Sequence, residues 1–270
     1  MTAIPAIPVE NCEIDPNAIR VLLTGFGPFY KFNENPSWLA VKPLHNTVLY
    51  TDPSVEQAVA NAAPQQIHIT ALEIPVSYQA VLQTVPGFHA RPPVLPDLGP
   101  DVPPPPPTGY DFMFHIGVAG RGPLRMEKLA HKNGYRMKDA DGLYAPVVPL
   151  KEGPRDDTIP EGYESFPEEI HTDIDVAKLI HHLKESGIEQ IYSSMDAGHY
   201  ICDFVFYCSL AESRRGTTRQ DKFVEKRATP SKTTPVLFMH CPPVDQPFTT
   251  EEVTDAIKKV VLWVCSRLHE

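Results

Sequence analysis

The sequence lacks a surplus of basic residues. Its 270 residues include 24 Lys and Arg against 34 Asp and Glu, which gives a net charge of −10. Nucleic acids and membrane surfaces are themselves anionic, so this balance argues against both as general partners. Long apolar runs are also missing, since no segment approaches the ~20 residues that a membrane-spanning helix requires. We therefore expect a protein that binds neither nucleic acid nor a membrane.

Features of secreted proteins are scarce as well. The first residues, MTAIPAIPVENCEIDP, have neither the basic segment nor the apolar stretch of a secretory signal. The segment Asn35-Pro36-Ser37 is not a usable glycosylation site, because proline occupies its middle position. Five cysteines are an odd number in a chain too large to need disulfide bonds. These features predict a cytoplasmic protein with free thiols.

Proline, by contrast, is abundant, with 30 residues. Many of them lie in RPPVLPDLGPDVPPPPPTG, residues Arg91–Gly109, which can form neither a helix nor a central strand. We predict an extended, polyproline-like surface insertion there, with docking of an SH3- or WW-type partner as the alternative. A second insertion, Glu212–Thr234, carries seven basic and three acidic residues and is predicted to be a charged loop. Similar patterns continue on both sides of each insertion, so one domain spanning residues 1–270 is expected.

Apolar segments with strand and helix patterns alternate along the rest of the chain. The predicted strands are compact, branched apolar runs, at Ile19–Phe26, Ile67–Val76, Phe112–Val118, Gln190–Ser194 and Thr234–His240. The predicted helices follow them, and the last carries a capping box at Thr249 and Glu252. Such alternation predicts an α/β fold, a mainly parallel sheet with helices on both faces.

Two reactive side chains fall where such a sheet holds its chemistry, at the carboxyl ends of strands. Cys202 follows a predicted strand and begins a predicted helix, and His240 ends the last predicted strand. A helix N-terminus is expected to stabilise the thiolate and so lower the pKa of the thiol. Its free N–H groups could also bind the oxyanion of an acyl-transfer intermediate. The pair therefore suggests nucleophilic catalysis, although a lone cysteine is more often a packed core residue.

Other readings of the same region are weaker. Cys208 lies within an apolar helix and is predicted to be core, and Cys241 lacks metal-ligand spacing to the other thiols. We therefore expect no metal site. The glycines of GVAGRG, residues 117–122, do not fit the dinucleotide-binding fingerprint and are interpreted as a tight turn near the site. No cofactor is expected.

Four blocks of the sequence, spanning Val21 to Val244, together resemble the pyroglutamyl peptidase I family, cysteine peptidases that remove an N-terminal pyroglutamate. In chain order they are VLLTGFGPFYKFNENPSWLAV, FHIGVAG with RMEKLAHKNGY, SSMDAGHYICDFVFYCSL, and VLFMHCPPV. The resemblance implies one peptidase domain, a three-layer α/β/α sandwich with a mainly parallel, twisted central sheet. It also implies a catalytic triad of Cys202, His240 and Glu127, in the order Glu–Cys–His along the chain.

The same resemblance implies a pocket for the flat lactam ring of pyroglutamate. Phe26 and Phe29 would form aromatic walls, and Val118 would offer a backbone contact. Asn35 is expected mainly to cap its helix and support the pocket loop. The expected partners are peptides with an N-terminal pyroglutamate.

The sequence departs from the family pattern at three positions. Val118 stands where bacterial members commonly carry Gln, Arg121 replaces the second glycine of the central turn, and Tyr30 replaces a glycine after the PF pair. Tyr30 could narrow the mouth of the pocket. None of these changes removes a member of the triad.

Rival residues and a rival function remain open at this point. Asp139 and Asp141 are alternative carboxylates, and His199 is an alternative base that we interpret as a turn residue. The alternative function is a pyroglutamyl-peptide-binding protein of the same fold that has lost turnover and uses its proline-rich arm to dock a partner. An intact triad favours the peptidase, because a binding protein needs no such combination.

Overall fold

A computed structural model describes residues 4–51, 64–100, 102–149, 158–223 and 233–268 of the protein. Eight strands form a central sheet with the spatial order β1-β3-β4-β2-β5-β12-β6-β11. Their bounds are Ile7–Pro8 (β1), Ile19–Phe26 (β2), Thr47–Tyr50 (β3), Gln66–Ile74 (β4), Phe112–Val118 (β5), Leu124–Glu127 (β6), Ile191–Ser194 (β11) and Val236–Cys241 (β12).

The middle of the sheet is parallel. Strand β2 pairs in parallel with β4 and β5, β12 with β5, and β11 with β6. Antiparallel pairing occurs at β1 and β3 on one edge, and where β6 lies beside β12. The predicted mainly parallel sheet is therefore confirmed, with β6 as a reversed strand that the sequence pattern does not reveal.

Five helices cover the two faces of the sheet in the described part of the chain. They are Pro36–Val41 (α1), Tyr78–Phe88 (α2), Val176–Glu185 (α3), Ile201–Phe223 (α4) and Thr250–Cys265 (α5). Helices α1, α3 and α5 contribute to one apolar cluster, whereas α2 and α4 contribute to a second one. Strand β2 is buried on both faces, because Val21 and Leu23 join the first cluster and Leu22 the second. The predicted α/β/α sandwich is thus confirmed.

Two short antiparallel pairs lie outside the central sheet. Strand β7 (Leu129–His131) pairs with β10 (Glu169–His171), and β8 (Val147–Pro149) pairs with β9 (Thr158–Pro160). Three-residue strands carry too little periodicity to be recognised in a sequence. The first pair continues directly from β6 and leads the chain past the start of α4.

The two predicted insertions have different outcomes. No helix or strand occurs in the described residues of Arg91–Gly109, in line with the proline content, although Leu95 and Leu98 pack against the second apolar cluster. The prediction of a charged loop from Glu212 is wrong up to Phe223, because α4 continues that far. One charged side chain of this segment packs on aromatic rings, since the Arg215 guanidinium lies 4.9 Å from the Tyr163 ring centroid and 5.1 Å from that of Phe166. Residues 224–232 of this prediction lie outside the described residues.

Among the described residues, no helix combines the length and the apolar composition needed to cross a membrane.

Candidate active site

The centre of the candidate site is a buried histidine–carboxylate pair. His240 lies on β12 and Glu127 ends the neighbouring strand β6, and Nδ1 of His240 is 2.7 Å from Oε1 of Glu127. His240 is 3% exposed and Glu127 is fully buried. Burying a carboxylate is costly unless a charged or hydrogen-bonding partner compensates it. The pair fixes the imidazole so that Nε2 is the ring nitrogen left for other chemistry.

One oxygen of this carboxylate is not compensated. Oε2 of Glu127 is buried and makes no hydrogen bond with any described residue, and the Nε of Arg125 lies 3.9 Å from the other oxygen. A buried carboxylate in this condition gains most when the imidazole beside it carries a positive charge. The geometry therefore favours a histidine that accepts a proton.

Cys202 lies over the strand next to the one that carries His240. It is the second residue of α4, and a Cβ added at Gly117 would come within 2.8 Å of its Sγ. Gly117 is the register partner of His240 in the β5–β12 pair. The sulfur therefore rests on the strand next to the histidine, and it can do so only because residue 117 has no side chain.

The electrostatic environment of the thiol differs from the prediction. Burial, with smaller contributions from the carboxylates of Glu127 and Asp203, raises the pKa of the Cys202 thiol to about 12. The sequence predicted a lowered pKa from the helix N-terminus, and this prediction is wrong. Two acidic side chains lie near the sulfur, and one of them is its neighbour Asp203. The resting group is therefore a neutral thiol that needs a base to become a nucleophile.

The start of α4 offers hydrogen-bond donors beside the sulfur. The helix begins at Ile201, and the N–H of Phe204 is the first that bonds to a carbonyl one turn earlier, that of Tyr200. The N–H groups of the preceding helical residues have no acceptor within the helix. They point toward the same end of the helix as Cys202, where negative charge is stabilised.

The residues predicted to form the pocket walls lie at the end of β2 and just after it. Phe26 is 3% exposed, and its ring lies 6.5 Å from that of Phe238. Phe29 is only partly buried, and its ring lies 5.6 Å from that of Tyr200, two residues before Cys202. Phe26 thus belongs to the core beneath the site, whereas Phe29 lies at its surface. The structure brings Phe29 near the nucleophile block through Tyr200.

Asn35 has the structural role that the sequence predicted. Its Oδ1 accepts hydrogen bonds from the N–H and the hydroxyl of Ser37, at 3.1 and 2.9 Å, and its Nδ2 donates to the Gly27 carbonyl at 3.1 Å. The residue is 2% exposed. It caps α1 and fixes the loop that carries Phe29, and both ends of its amide are occupied.

The positions that depart from the family pattern lie around this region. Val118 ends β5 half-buried and pairs with Cys241, and Arg121 is exposed and bonds to Oε1 of Gln246 at 2.6 Å. Tyr30 is 91% exposed and has a φ of +52°. Left-handed backbone favours glycine, so a tyrosine here is strained. Its ring lines a cavity of about 400 Å³ together with Pro28 and Phe29.

The rival residues are engaged elsewhere. One carboxylate oxygen of Asp139 accepts from the N–H of Tyr78 and the other from those of Asp141 and Leu143, so Asp139 organises its own turn. Asp141 is exposed. His199 places its Nδ1 3.1 Å from the Asn133 carbonyl and 3.6 Å from the Asp203 carboxylate. Among the described contacts, none of the three touches His240.

Sequence reasoning missed two contributors, Tyr200 and Phe238, and assigned a third, Gly117, to a turn although it lies within β5. Gly117 gives room to the sulfur, Tyr200 links the Phe29 loop to α4, and the Phe238 ring lies 4.9 Å from that of His240. The sequence indicated that Gly117 lies near the site, but not that the absence of its side chain leaves room for the sulfur. Nothing in the sequence distinguishes Tyr200 or Phe238 from ordinary core residues.

The fold and this arrangement define an α/β/α protein in which a cysteine at a helix N-terminus lies over the strand next to a buried histidine–glutamate pair, and these are the kinds of groups that thiol hydrolases use. Several known proteins are similar to this chain in sequence. Human pyroglutamyl-peptidase 1 is 25% identical over 243 residues, which cover 89% of this chain and 87% of the human one. Pyrrolidone-carboxylate peptidase of Bacillus subtilis is 29% identical over 192 residues, 70% of this chain and 68% of the bacterial one.

Solved structures agree on the fold. That of pyroglutamyl peptidase I from Bacillus amyloliquefaciens matches with a TM-score of 0.62 at 21% identity, over 93% of this chain and 97% of the other. That of pyrrolidone carboxyl peptidase from Fervidobacterium islandicum AW-1 gives 0.60 at 23% identity, over 92% and 99%. The chain matches no protein-family model. The resemblance to pyroglutamyl peptidase I that the sequence motifs predicted is confirmed by these relatives.

Proposed function

We propose that the protein is a cysteine exopeptidase that hydrolyses the amide bond following an N-terminal pyroglutamate. The observation that carries this proposal is the buried His240–Glu127 pair, with Nδ1 and Oε1 2.7 Å apart, on the strand next to the one that supports the Cys202 sulfur. The relatives named pyroglutamyl-peptidase 1 support the same activity. We propose that a single domain of residues 1–270 carries this activity.

The proposed reaction begins with proton transfer. Nε2 of His240 takes the proton of the Cys202 thiol as the sulfur attacks the carbonyl carbon that follows pyroglutamate. The raised pKa of the thiol means that the two events are coupled, since little free thiolate exists beforehand. Glu127 stabilises the imidazolium that forms, and the N–H groups at the start of α4 bind the developing oxyanion.

The second half of the reaction releases both products. The imidazolium gives its proton to the nitrogen of the leaving amine, the carbon–nitrogen bond breaks, and a thioester remains on Cys202. His240 then takes a proton from water, whose oxygen attacks the thioester, and free pyroglutamate leaves as the sulfur regains a proton.

Specificity is proposed to come from the shape and neutrality of the pocket. Phe29, with Phe26 and Val118, would surround a compact, uncharged ring that hydrogen-bonds through its own amide. N-terminal glutamate and proline both bring a charged amine, and proline also lacks the lactam carbonyl. Desolvating such a charge without a partner costs several kcal/mol. Discrimination of at least about a thousandfold is therefore expected.

The test compares matched pyroglutamyl, prolyl and glutamyl amides of one fluorogenic amine. Only the pyroglutamyl amide should be hydrolysed at a high kcat/KM. Similar kcat/KM values for all three would contradict the pocket, and binding of a pyroglutamyl amide without turnover would favour the binding protein of the same fold. A stoichiometric burst of amine before the steady rate would support the thioester.

A further inference from the structure

A second group of reactive side chains lies beside the proposed active site. His131 ends β7, His199 precedes α4, and Asp203 lies in its first turn. Nδ1 of His131 is 3.3 Å from Oδ2 of Asp203, and Nδ1 of His199 is 3.6 Å from the same oxygen. The two imidazole rings have centroids 4.5 Å apart. These residues are called the His131–His199–Asp203 cluster below.

The spacing within the cluster matches that of metal ligands. Zinc binds nitrogen and oxygen ligands at about 2.0–2.2 Å in tetrahedral geometry, which places neighbouring ligand atoms about 3.4 Å apart. The two nitrogen-to-oxygen distances in the cluster, 3.3 and 3.6 Å, lie on either side of this value. One potential ligand atom from each residue lies within 4.8 Å of the others. A small shift of the side chains would suffice to bind an ion.

One ring nitrogen of the cluster lacks a hydrogen bond within the described part of the chain, and a bound metal ion would provide it with a partner. Nδ1 of His131 is buried and makes no well-formed hydrogen bond with a described residue, although Oδ2 of Asp203 lies 3.3 Å away. Asp203 is fully buried. The Asp203 carboxylate accepts hydrogen bonds from the backbone N–H of His131 and from the Tyr135 hydroxyl. A metal ion would satisfy the orphaned nitrogen and compensate the buried negative charge together.

The backbone around His199 is arranged to bring its ring into the cluster. His199 has a φ of +46°, which a non-glycine residue adopts only when its surroundings impose it. A Cβ at Gly134 would lie 2.8 Å from Nδ1 of His199, so the ring occupies space that only glycine leaves free. The side chain is 40% exposed, which gives ions and a coordinating water access from solvent.

We propose that His131, His199 and Asp203 form a binding site for a divalent transition-metal ion of the zinc class, adjacent to the proposed nucleophile. Two imidazoles and one carboxylate suit zinc, cobalt, nickel or copper, whereas magnesium and calcium prefer oxygen ligands alone. In the bound form His199 carries its proton on Nε2, whereas in the free form Nδ1–H donates to the Asn133 carbonyl. The site does not depend on the proposed peptidase activity.

Cobalt binding to the Cys202→Ala protein tests the proposal, because this background removes the thiol that adjoins Asp203 in the sequence. One equivalent of Co²⁺ should bind with the visible absorption of a four- or five-coordinate nitrogen–oxygen site, and Zn²⁺ should displace it. Absorption typical of sulfur-to-cobalt charge transfer would overturn the proposal, since it would assign the ion to a cysteine. The absence of saturable binding would overturn it as well.

Matched variants assign the ion to the cluster. His199→Asn removes one ligand but suits the left-handed backbone, and it should weaken Co²⁺ binding at least about tenfold. The control is His181→Asn on α3, an exposed histidine 3.2 Å from Glu185 that lies outside the cluster and should change nothing. Equal losses in the two variants would overturn the proposal. His131→Gln is the second ligand variant, and unchanged affinity in both folded ligand variants would also refute the site.

Discussion

The two cysteines of α4, Cys202 and Cys208, have different surroundings although only six positions separate them in the sequence. Cys202 is half-buried with its sulfur on Gly117, whereas Cys208 is fully buried within the second apolar cluster. A buried free cysteine behaves as a small apolar side chain. Cys208 is therefore a suitable control for substitutions of the proposed nucleophile, Cys202.

Cys202→Ala should abolish hydrolysis of a pyroglutamyl amide and leave the thermal midpoint nearly unchanged. Cys208→Ala should retain kcat/KM while losing about 1 kcal/mol of unfolding free energy, because it leaves a small cavity. Steady-state kinetics and urea unfolding of both variants provide the measurement. Full activity of Cys202→Ala would end the cysteine-peptidase proposal.

Glu127→Gln should lower kcat about 100-fold or more, because a neutral amide no longer stabilises the imidazolium of His240. The same change should leave stability equal or higher, since it removes a buried charge whose Oε2 has no described hydrogen-bond partner. His240→Ala should lose more activity than Glu127→Gln. Kinetics and melting curves, measured on the same samples, give both quantities.

Asp139→Asn is the matched carboxylate control for Glu127→Gln. It should reduce stability, because the Asp139 carboxylate accepts three backbone hydrogen bonds, and it should keep turnover per folded molecule. If Asp139→Asn removed activity from a folded protein and Glu127→Gln did not, the assignment of the carboxylate would be wrong.

At the residue scale, the resemblance implied a triad of Cys202, His240 and Glu127 but did not reveal its electrostatics. His240 and Glu127 are in contact, and the Cys202 sulfur lies over Gly117 on β5, the strand next to that of His240. The pKa of Cys202 was predicted in the wrong direction because local helix geometry was the only visible influence. Its burial, and the approach of Glu127 from β6, depend on parts of the chain that are distant in sequence.

At the scale of elements, a buried polar chain connects the sheet to the helices above it. Nδ1 of His115 on β5 lies 2.7 Å from the Thr24 hydroxyl on β2, and Nε2 lies 2.9 Å from the Ser209 hydroxyl on α4. Burial lowers the pKa of His115 to about 3. The folded protein therefore holds this imidazole neutral under conditions in which the unfolded chain would protonate it.

This linkage predicts a loss of stability in acid. Above the unfolded pKa of about 6.5, the imidazole is neutral in both the folded and the unfolded state, so His115 does not lower stability there. Between this pH and the folded pKa of about 3, the unfolded chain binds a proton at His115 and the folded protein does not, so the free energy of unfolding falls as the pH falls. His115 alone should cost about 2 kcal/mol between pH 7.5 and pH 5. Urea unfolding at several pH values should show this fall, and a shallower one in His115→Gln. An identical slope in both proteins would contradict the assignment.

The length of α4 shows why element boundaries are difficult to read from sequence. Charged residues after Ala211 resemble a solvated loop, but they contain no proline before Pro230, and α4 continues through Gly216. Packing of Arg215 on two aromatic rings then favours continuation of the helix. Strand β6 could not be predicted, because its four residues have no strand pattern in the sequence. Pairing with β12 and β11 on either side determines this strand.

At the scale of the whole molecule, two apolar clusters lie on opposite faces of one sheet. The two tryptophans of the chain, Trp38 and Trp263, belong to or pack against the cluster of α1, α3 and α5, whereas Cys202 packs against the other. If residues 1–270 form one domain, tryptophan fluorescence and loss of hydrolysis should follow the same urea midpoint. Separate midpoints would contradict a single cooperative unit.

The overall architecture was the most predictable feature. Strands β2 and β5 have the bounds that their apolar runs predicted, because a parallel strand buried on both faces needs a continuous apolar sequence. The antiparallel edge strands and the reversed β6 were not predicted. Their pairing is decided by neighbours rather than by their own residues.

The order of the strands has a consequence for protein synthesis. Glu127 and His240 are 113 positions apart, and His240 lies on β12, the last strand in sequence order among the described residues. A growing chain therefore exposes Cys202 long before its proposed base exists. If the proposed function holds, hydrolysis can begin only after β12 has been translated, and prematurely terminated chains that lack β12 are inactive whatever else they fold.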